Sequence, residues 1–244
     1  MKAFKNKNIS LYCEKGIILA AITRGGDNTI TVYRPVGLTA VKGFSMKHGY
    51  DEVAPHLYEK DYNFERASIP YIVFPFYWNF AVSGEIPTFK ALAEQYIEWF
   101  CTESADGTLS IKEEFESNAG SFRREALIGR IARAYASYLR ELDLLLQLSQ
   151  YADIEASYSF QDDLKGYDIV VESNSRLYGL ATYWGSVASR HDRERKSGLH
   201  NTQHSIHKVE MPADASNTVC VNGIYLYSET YVSLIHRYLT DARH

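Results

Sequence analysis

Long apolar runs, paired cysteines and an excess of positive charge are all missing from this chain of 244 residues. The longest apolar stretch, residues 69–80, is shorter than the roughly 20 residues that a membrane-spanning helix needs, and Pro70 and Pro75 interrupt it. We therefore expect no membrane-spanning segment. The first ten residues carry three lysines but no apolar signal-peptide core, so we do not expect secretion either.

The small number of cysteines and the overall charge narrow the class of protein. Cys13, Cys101 and Cys220 are an odd, widely spaced set without a CxxC pair, which fits a reducing cytoplasm better than a disulfide framework. A formal net charge of -4 argues against binding nucleic acid through overall charge, although a local basic surface stays open. With 45% hydrophobic residues, the composition is that of a globular protein.

Patterns in the first part of the chain predict a β-hairpin followed by helices. β-rich runs at residues 17–23 and 29–33 flank a turn rich in Gly, Asp and Asn, which is typical of a hairpin. The aromatic run at residues 71–80 is more typical of a core than of a binding surface. Thr88 precedes a predicted helix at residues 89–101, whose apolar residues follow helical spacing.

The second part begins after an acidic stretch, and we place the boundary between an N-terminal module, residues 1–115, and a C-terminal part, residues 116–244. Hydrophobic periodicity and turn residues predict the elements of the second part. In chain order they are a helix at 122–148 capped by Ser121, strands at 154–160, 167–172 and 177–184, a short basic helix at 186–196, strands at 204–211 and 219–227, and a helix at 229–239 capped by Ser228.

This order of helix, three strands, helix and strand, with the motif GYDIVV at residues 166–171, resembles the restriction-endonuclease-like fold of the PD-(D/E)XK nucleases. We therefore expect an α+β protein in which the N-terminal β-hairpin and helical module precedes a C-terminal αβββαβ restriction-endonuclease-like core with a mixed central sheet. In that family the second strand begins with a metal-binding Asp, the third carries an acid and, two positions on, a Lys, and the first helix often adds a Glu. Asp168 matches the first of these positions.

The resemblance implies Mg²⁺ or Mn²⁺ as the cofactor, because two carboxylates at neighbouring strand ends hold an ion that polarises the phosphate and activates the attacking water. The implied metal ligands are Asp168 and Glu172, and the catalytic group adds Glu125 on the first helix. Glu172 shares a strand face with Asp168 but lies about 13 Å away along an extended strand, so a bulge would be needed to join them. The third strand, LYGLATYW, departs from the family pattern because it contains neither acid nor lysine.

A basic segment is the candidate contact for nucleic acid. On a helix, Arg190, Arg193 and Lys196 would share one face, which would bind phosphates without reading base sequence; a solvated charged face is the alternative. Arg130 and Arg133 on the long helix would add to this surface. The full set of predicted contacts is Arg123, Arg124, Arg176, Arg190, Arg193, Arg195 and Lys196.

Histidines concentrate in the same region. His191, His200 and His204 are candidates for a general base or a phosphate contact. Together with His207 they are also candidate zinc ligands, although no cysteine lies near them and the segment is more typical of a loop that leads into a strand.

Three functions from different classes are consistent with these patterns. The first is a divergent metal-dependent nuclease that acts on DNA or RNA, in a defence or mobile-element system. The second is a nuclease-fold subunit without an active site, which binds nucleic acid or scaffolds a multiprotein complex and uses residues 1–115 to dock its partner. The third is an α+β protein that binds a protein or small ligand and no nucleic acid. The sequence has no G-x-S-x-G elbow and no Walker A loop, so those enzyme classes are set aside.

Overall fold

A computed structural model describes residues 7–14, 17–24, 29–32, 50–160, 166–186 and 206–241. The strands are β1 (Lys7–Glu14), β2 (Ile17–Arg24), β3 (Thr29–Val32), β4 (Cys101–Glu103), β5 (Leu109–Ile111), β6 (Ser121–Phe122), β7 (Glu155–Ser159), β8 (Ile169–Ser173), β9 (Arg176–Trp184), β10 (Ile206–Ala213), β11 (Thr218–Val221) and β12 (Ile224–Tyr227). The helices are α1 (Tyr50–Val53), which runs into a 3₁₀ turn at Ala54–His56, then α2 (Tyr62–Arg66), α3 (Val73–Ser83), α4 (Phe89–Phe100), α5 (Arg124–Leu148) and α6 (Glu229–Thr240). Within these ranges, no helix has the length and apolar character needed to cross a bilayer.

A mixed sheet of seven strands organises the molecule, in the order β10-β9-β8-β7-β1-β2-β3. Its neighbouring strands are antiparallel except β9 and β10, which are parallel. The α+β class with a mixed sheet is therefore confirmed. Two smaller sheets, β4-β5-β6 and β11-β12, complete the described strands.

The hydrogen bonding of the large sheet crosses the predicted boundary at residue 115. β1 pairs with β7, so that Ser10, Leu11 and Tyr12 lie opposite Ser159, Tyr158 and Ser157. The small sheet crosses it too, because β5 on one side pairs with β6 on the other. The division into residues 1–115 and 116–244 stays a prediction, and the two parts share one sheet.

Helix α5 forms the centre of the core. Every residue from 139 to 148 is buried, which means that this stretch is covered on all sides. The helix packs against β7, β12 and α6. The buried rings of α3, such as Phe76, Tyr77 and Phe80, pack in the same core, which confirms the prediction made from the aromatic run.

Capping residues define two helices as predicted. The Thr88 hydroxyl accepts a hydrogen bond from the Ala91 amide at 3.2 Å at the start of α4, and the Ser228 hydroxyl accepts one from the Tyr231 amide at 3.2 Å at the start of α6. The helix predicted to begin after Ser121 instead begins at Arg124, because Ser121 pairs with Ser110 in the small sheet.

The predicted strand at 219–227 is in fact the hairpin β11–β12. Its turn is Asn222-Gly223, and both residues have positive φ, 46° and 77°, as a two-residue hairpin turn requires. The Asn-Gly signal was present in the sequence. The predicted basic helix at 186–196 lies almost wholly outside the described residues.

Candidate active site

A cluster of polar side chains joins α5 to β9 and to the start of β8, and we call Arg140, Glu141, Asp168 and Thr182 the α5 polar cluster. Arg140 and Glu141 are consecutive residues of α5, Thr182 belongs to β9, and Asp168 immediately precedes β8. The exposed fractions of Arg140, Glu141 and Thr182 are only 6%, 5% and 5%. Ionisable groups are rarely buried unless they are paired and hydrogen-bonded, so each member of the cluster needs a partner.

Thr182 joins the two carboxylates. Its backbone N–H donates to Oδ2 of Asp168, and its hydroxyl donates to Oε1 of Glu141 at 3.5 Å. The Ser137 hydroxyl, one helical turn before Glu141, also donates to that oxygen, at 3.0 Å. The Asp168 backbone N–H donates to Leu180 O at 2.9 Å, which fixes the start of β8 against β9. Both carboxylates are therefore oriented by hydrogen-bond donors.

Arg140 supplies the positive charge beside these carboxylates. Its Nε donates to Tyr225 O of β12 at 2.9 Å, and its guanidinium carbon lies 5.6 Å from the centre of the Trp184 ring. Burial lowers the pKa of the Arg140 guanidinium, while the neighbouring Tyr227, Glu141 and Asp168 act in the opposite direction. The guanidinium of an arginine stays protonated even when it is buried, so the cluster contains a permanent cation.

A second set of buried polar groups lies one to two turns further along α5. Gln147 donates from Nε2 to Asp143 Oδ2 at 2.7 Å and to Tyr227 O at 2.9 Å. The Tyr227 hydroxyl donates to Met211 O at 2.5 Å, and burial raises the pKa of that hydroxyl. These bonds hold α5, β10 and β12 together and thereby position the α5 polar cluster.

Only one of the three predicted catalytic acids belongs to this cluster. Asp168 does, but Glu172 is exposed at the other end of β8, opposite Glu155. The register of β8 with both neighbours is continuous, so no bulge brings Glu172 back toward Asp168. Glu125 is exposed in the first turn of α5, about 24 Å along the helix axis from Glu141 at 1.5 Å per residue. The acid that α5 contributes is Glu141.

The predicted arginine surface on α5 is only partly available. Arg130 donates to Phe64 O at 2.8 Å and Ala67 O at 3.0 Å, and Arg133 donates to Leu57 O at 3.1 Å and Glu59 O at 2.9 Å. Arg133 also pairs with Glu65. These two arginines hold the segment around α2 against α5, which corrects their interpretation as phosphate contacts.

The remaining predicted contacts fall into two groups. Arg123 and Arg176 are exposed, and Arg124 lies 3.6 Å from Glu103 in an exposed ion pair. The other predicted contacts lie outside the described residues, namely Arg190, His191, Arg193, Arg195, Lys196, His200 and His204. His207 is described, and its ring lies 5.8 Å from that of Tyr178 on β9.

The residues predicted from the sequence did not include Arg140, Glu141 and Thr182. A signal was present, because residues 139–148 read LRELDLLLQL, in which leucines occupy both faces of the helix. A helix that is apolar all round is buried, and so are the charged residues within it. In the described ranges, no group of three or more His, Cys, Asp and Glu side chains could hold a metal ion.

Comparisons of the chain with family models, with curated proteins and with solved structures found no match.

Proposed function

We propose that the protein is a divergent metal-dependent nuclease that acts on phosphodiester bonds of DNA or RNA, with the α5 polar cluster as its active site. The observation that carries the proposal is that one residue, Thr182, donates hydrogen bonds to two carboxylates, those of Asp168 and Glu141. The Arg140 cation interacts with both carboxylates. The element order supports it, because α5 is followed by the antiparallel strands β7, β8 and β9 and then by the parallel strand β10. Recruitment to a defence or mobile-element system is part of the same hypothesis.

The donor set suits Mg²⁺ or Mn²⁺. Mg²⁺ prefers oxygen ligands and is commonly held by one or two carboxylates together with substrate phosphate, so Asp168 and Glu141 would be its protein ligands. Such an ion polarises the phosphate and lowers the pKa of a bound water. Thr182 keeps both carboxylates oriented. Arg140 would neutralise charge that develops on the phosphate, since a guanidinium matches phosphate geometry.

An active site at the α5 polar cluster would explain why β9 contains neither the acid nor the lysine of the PD-(D/E)XK pattern. Thr182 is the β9 residue bonded to Asp168, and Trp184 lies two positions further on, so these two occupy the positions of the acid and the lysine in the PD-(D/E)XK pattern. We infer that both functions come from α5 instead. Glu141 would supply the acid and Arg140, whose guanidinium lies over Trp184, would supply the cation.

A cleavage assay with Mg²⁺, Mn²⁺ or EDTA on single- and double-stranded DNA and RNA tests the proposal. We expect metal-dependent cutting that falls by orders of magnitude in Asp168→Asn and in Glu141→Gln. Glu125→Gln and Glu172→Gln are matched controls on the same helix and the same strand, and both should keep wild-type rates. Cutting that persists in EDTA, or equal losses in the control variants, would refute the assignment.

The second candidate is a nuclease-fold subunit that binds nucleic acid or scaffolds a complex without cutting. The near-complete burial of Arg140, Glu141 and Thr182, and the hydrogen bond from Thr182 to Glu141, favour it. Here Glu141→Gln would alter the free energy of unfolding but leave the retention of a labelled nucleic acid in a gel-shift assay unchanged. Wild-type binding without cutting in any metal would select this candidate.

A further inference from the structure

Two aromatic side chains form a partly exposed surface beside the α5 polar cluster. Trp184 is the last residue of β9 and Tyr225 lies in β12, and their ring centres are 5.1 Å apart with planes inclined at 58°. Their exposed fractions are 38% and 39%. Core rings such as Phe76 and Tyr77 are exposed by only 0% and 1%. We call Trp184 and Tyr225 the aromatic pair.

The aromatic pair is joined directly to the polar cluster. Trp184 follows Thr182 by two residues, so the two side chains leave the same face of the strand. Arg140 contacts both residues, because its guanidinium lies 5.6 Å from the Trp184 ring centre and its Nε donates to the backbone carbonyl oxygen of Tyr225 at 2.9 Å. A ligand on the aromatic pair would therefore have the Arg140 cation and the two carboxylates beside it.

We propose that the aromatic pair stacks an unpaired base of a single-stranded nucleic acid and thereby places the neighbouring phosphate at the α5 polar cluster. This inference rests on the proposed function and narrows its substrate to single strands. Stacking on aromatic rings is the usual way in which proteins hold single strands, because every base has a π face. Bases inside a duplex are already stacked on each other and do not offer that face.

Fluorescence of Trp184 reports the contact directly. The chain has three tryptophans, and the other two, Trp78 and Trp99, pack against the core with ring centres 6.2 Å apart. Replacing both by Phe leaves Trp184 as the single tryptophan. We would titrate this variant in EDTA with single-stranded DNA and RNA of about 16 nucleotides, with a duplex, and with an abasic strand of the same length. Quenching by the single strands, and much less by the duplex and the abasic strand, is the expected result.

Single substitutions in the otherwise wild-type chain measure how much the aromatic pair contributes to the affinity for a single strand. By anisotropy of a labelled single strand, Trp184→Leu should weaken binding about 5- to 100-fold, and Trp184→Phe should retain most of it, because Phe keeps an aromatic face. Tyr62→Ala is the matched control, since Tyr62 is also exposed and carries the Arg66 guanidinium 4.1 Å from its ring centre, but it lies on α2. That variant should bind as the wild type does.

The outcomes separate this inference from the nuclease proposal. Quenching without cleavage in Mg²⁺ would support the stacking surface and would refute the nuclease. Cleavage without quenching would leave the nuclease in place and overturn the stacking surface. Equal affinity for the abasic strand, equal losses in Trp184→Leu and Trp184→Phe, or no binding of any nucleic acid would also overturn it.

Discussion

The arginines in the two halves of helix α5 have different partners. In the first half, Arg130 and Arg133 are half-buried and donate to backbone carbonyls of the segment around α2. In the second half, Arg140 is buried beside Glu141 and Asp168. The same residue type therefore fastens a loop at one end of the helix and balances carboxylate charge at the other.

The difference follows from what covers the helix. One side of the first half is partly exposed to solvent, and the arginines on that side donate to nearby backbone carbonyls. The second half has β9 on one side, where Glu141 bonds to Thr182, and β12 on another, where Arg140 and Gln147 bond to backbone oxygens. Charge within such a stretch must be balanced largely by neighbours, because the surrounding protein shields it from most of the solvent. Four substitutions along α5 test this contrast.

Arg140→Leu should have the largest effect. It removes the cation that interacts with both carboxylates and leaves their charge uncompensated in a buried site, which costs about 3–5 kcal/mol of unfolding free energy. Urea unfolding followed by circular dichroism measures it. The double variant Arg140→Leu/Glu141→Leu should regain part of the loss, because one of the buried charges leaves with its partner. A single variant within about 1 kcal/mol of wild type would show that the charges are not coupled.

Arg130→Leu should cost less, about 2 kcal/mol, because two backbone carbonyls lose a charged donor but lie where water can replace part of it. Equilibrium unfolding gives this value as well. The loss should be accompanied by faster proteolysis around residues 64–67, since Arg130 donates to the carbonyls of Phe64 and Ala67. A loss equal to that of Arg140→Leu would remove the distinction between the two halves.

Gly129→Ala should cost about 1–2 kcal/mol through steric overlap. An added Cβ would overlap Glu59 O and lie 3.0 Å from the Glu59 carbonyl carbon, both backbone atoms, so the segment must move away from α5. The melting temperature checks this. An unchanged melting temperature would mean that the segment is held less tightly than the hydrogen bonds of Arg130 and Arg133 indicate.

Arg124→Ala should have the smallest effect, below about 0.5 kcal/mol. Its ion pair with Glu103 has a 3.6 Å separation, and the two side chains are 38% and 50% exposed. At high salt, denaturant titration should show no difference in unfolding free energy between the variant and the wild type, because salt screens exposed charges. A loss above about 1 kcal/mol would show that the pair is stronger than an ordinary surface ion pair.

Local features of the fold could be predicted from the sequence. Thr88 and Ser228 defined helix starts through side-chain caps, and the turn between β8 and β9 followed from polar residues, Asn174 and Ser175, which adopt positive φ of 49° and 61°. Asp168 could be predicted as a candidate site residue because its place at the start of a strand is visible in the sequence around it. Its catalytic role stays a prediction.

Features that depend on distant contacts could not be predicted. Leucines on both faces of residues 139–148 indicate that this part of α5 is buried. They do not indicate which elements cover it, namely β12 beside Arg140 and Gln147 and β9 beside Glu141. The hydrogen bond of Glu141 joins residues 41 positions apart, so its partner Thr182 could not be read from the local sequence. The pairing of β1 with β7 left no signal either, because backbone hydrogen bonds carry little sequence information.

The pairing of β1 with β7 also has a consequence for synthesis of the protein. The hairpin β1–β2 is made before α5, whereas its neighbour β7 is made only after α5. Until then the outer edge of β1 has backbone groups without strand partners, and Leu11 and Ile9 lack their final burial. The nascent chain thus exposes an unpaired strand edge until β7 has been made, and we expect the pairing of β1 with β7 to be a late step of folding because it joins residues far apart in the sequence.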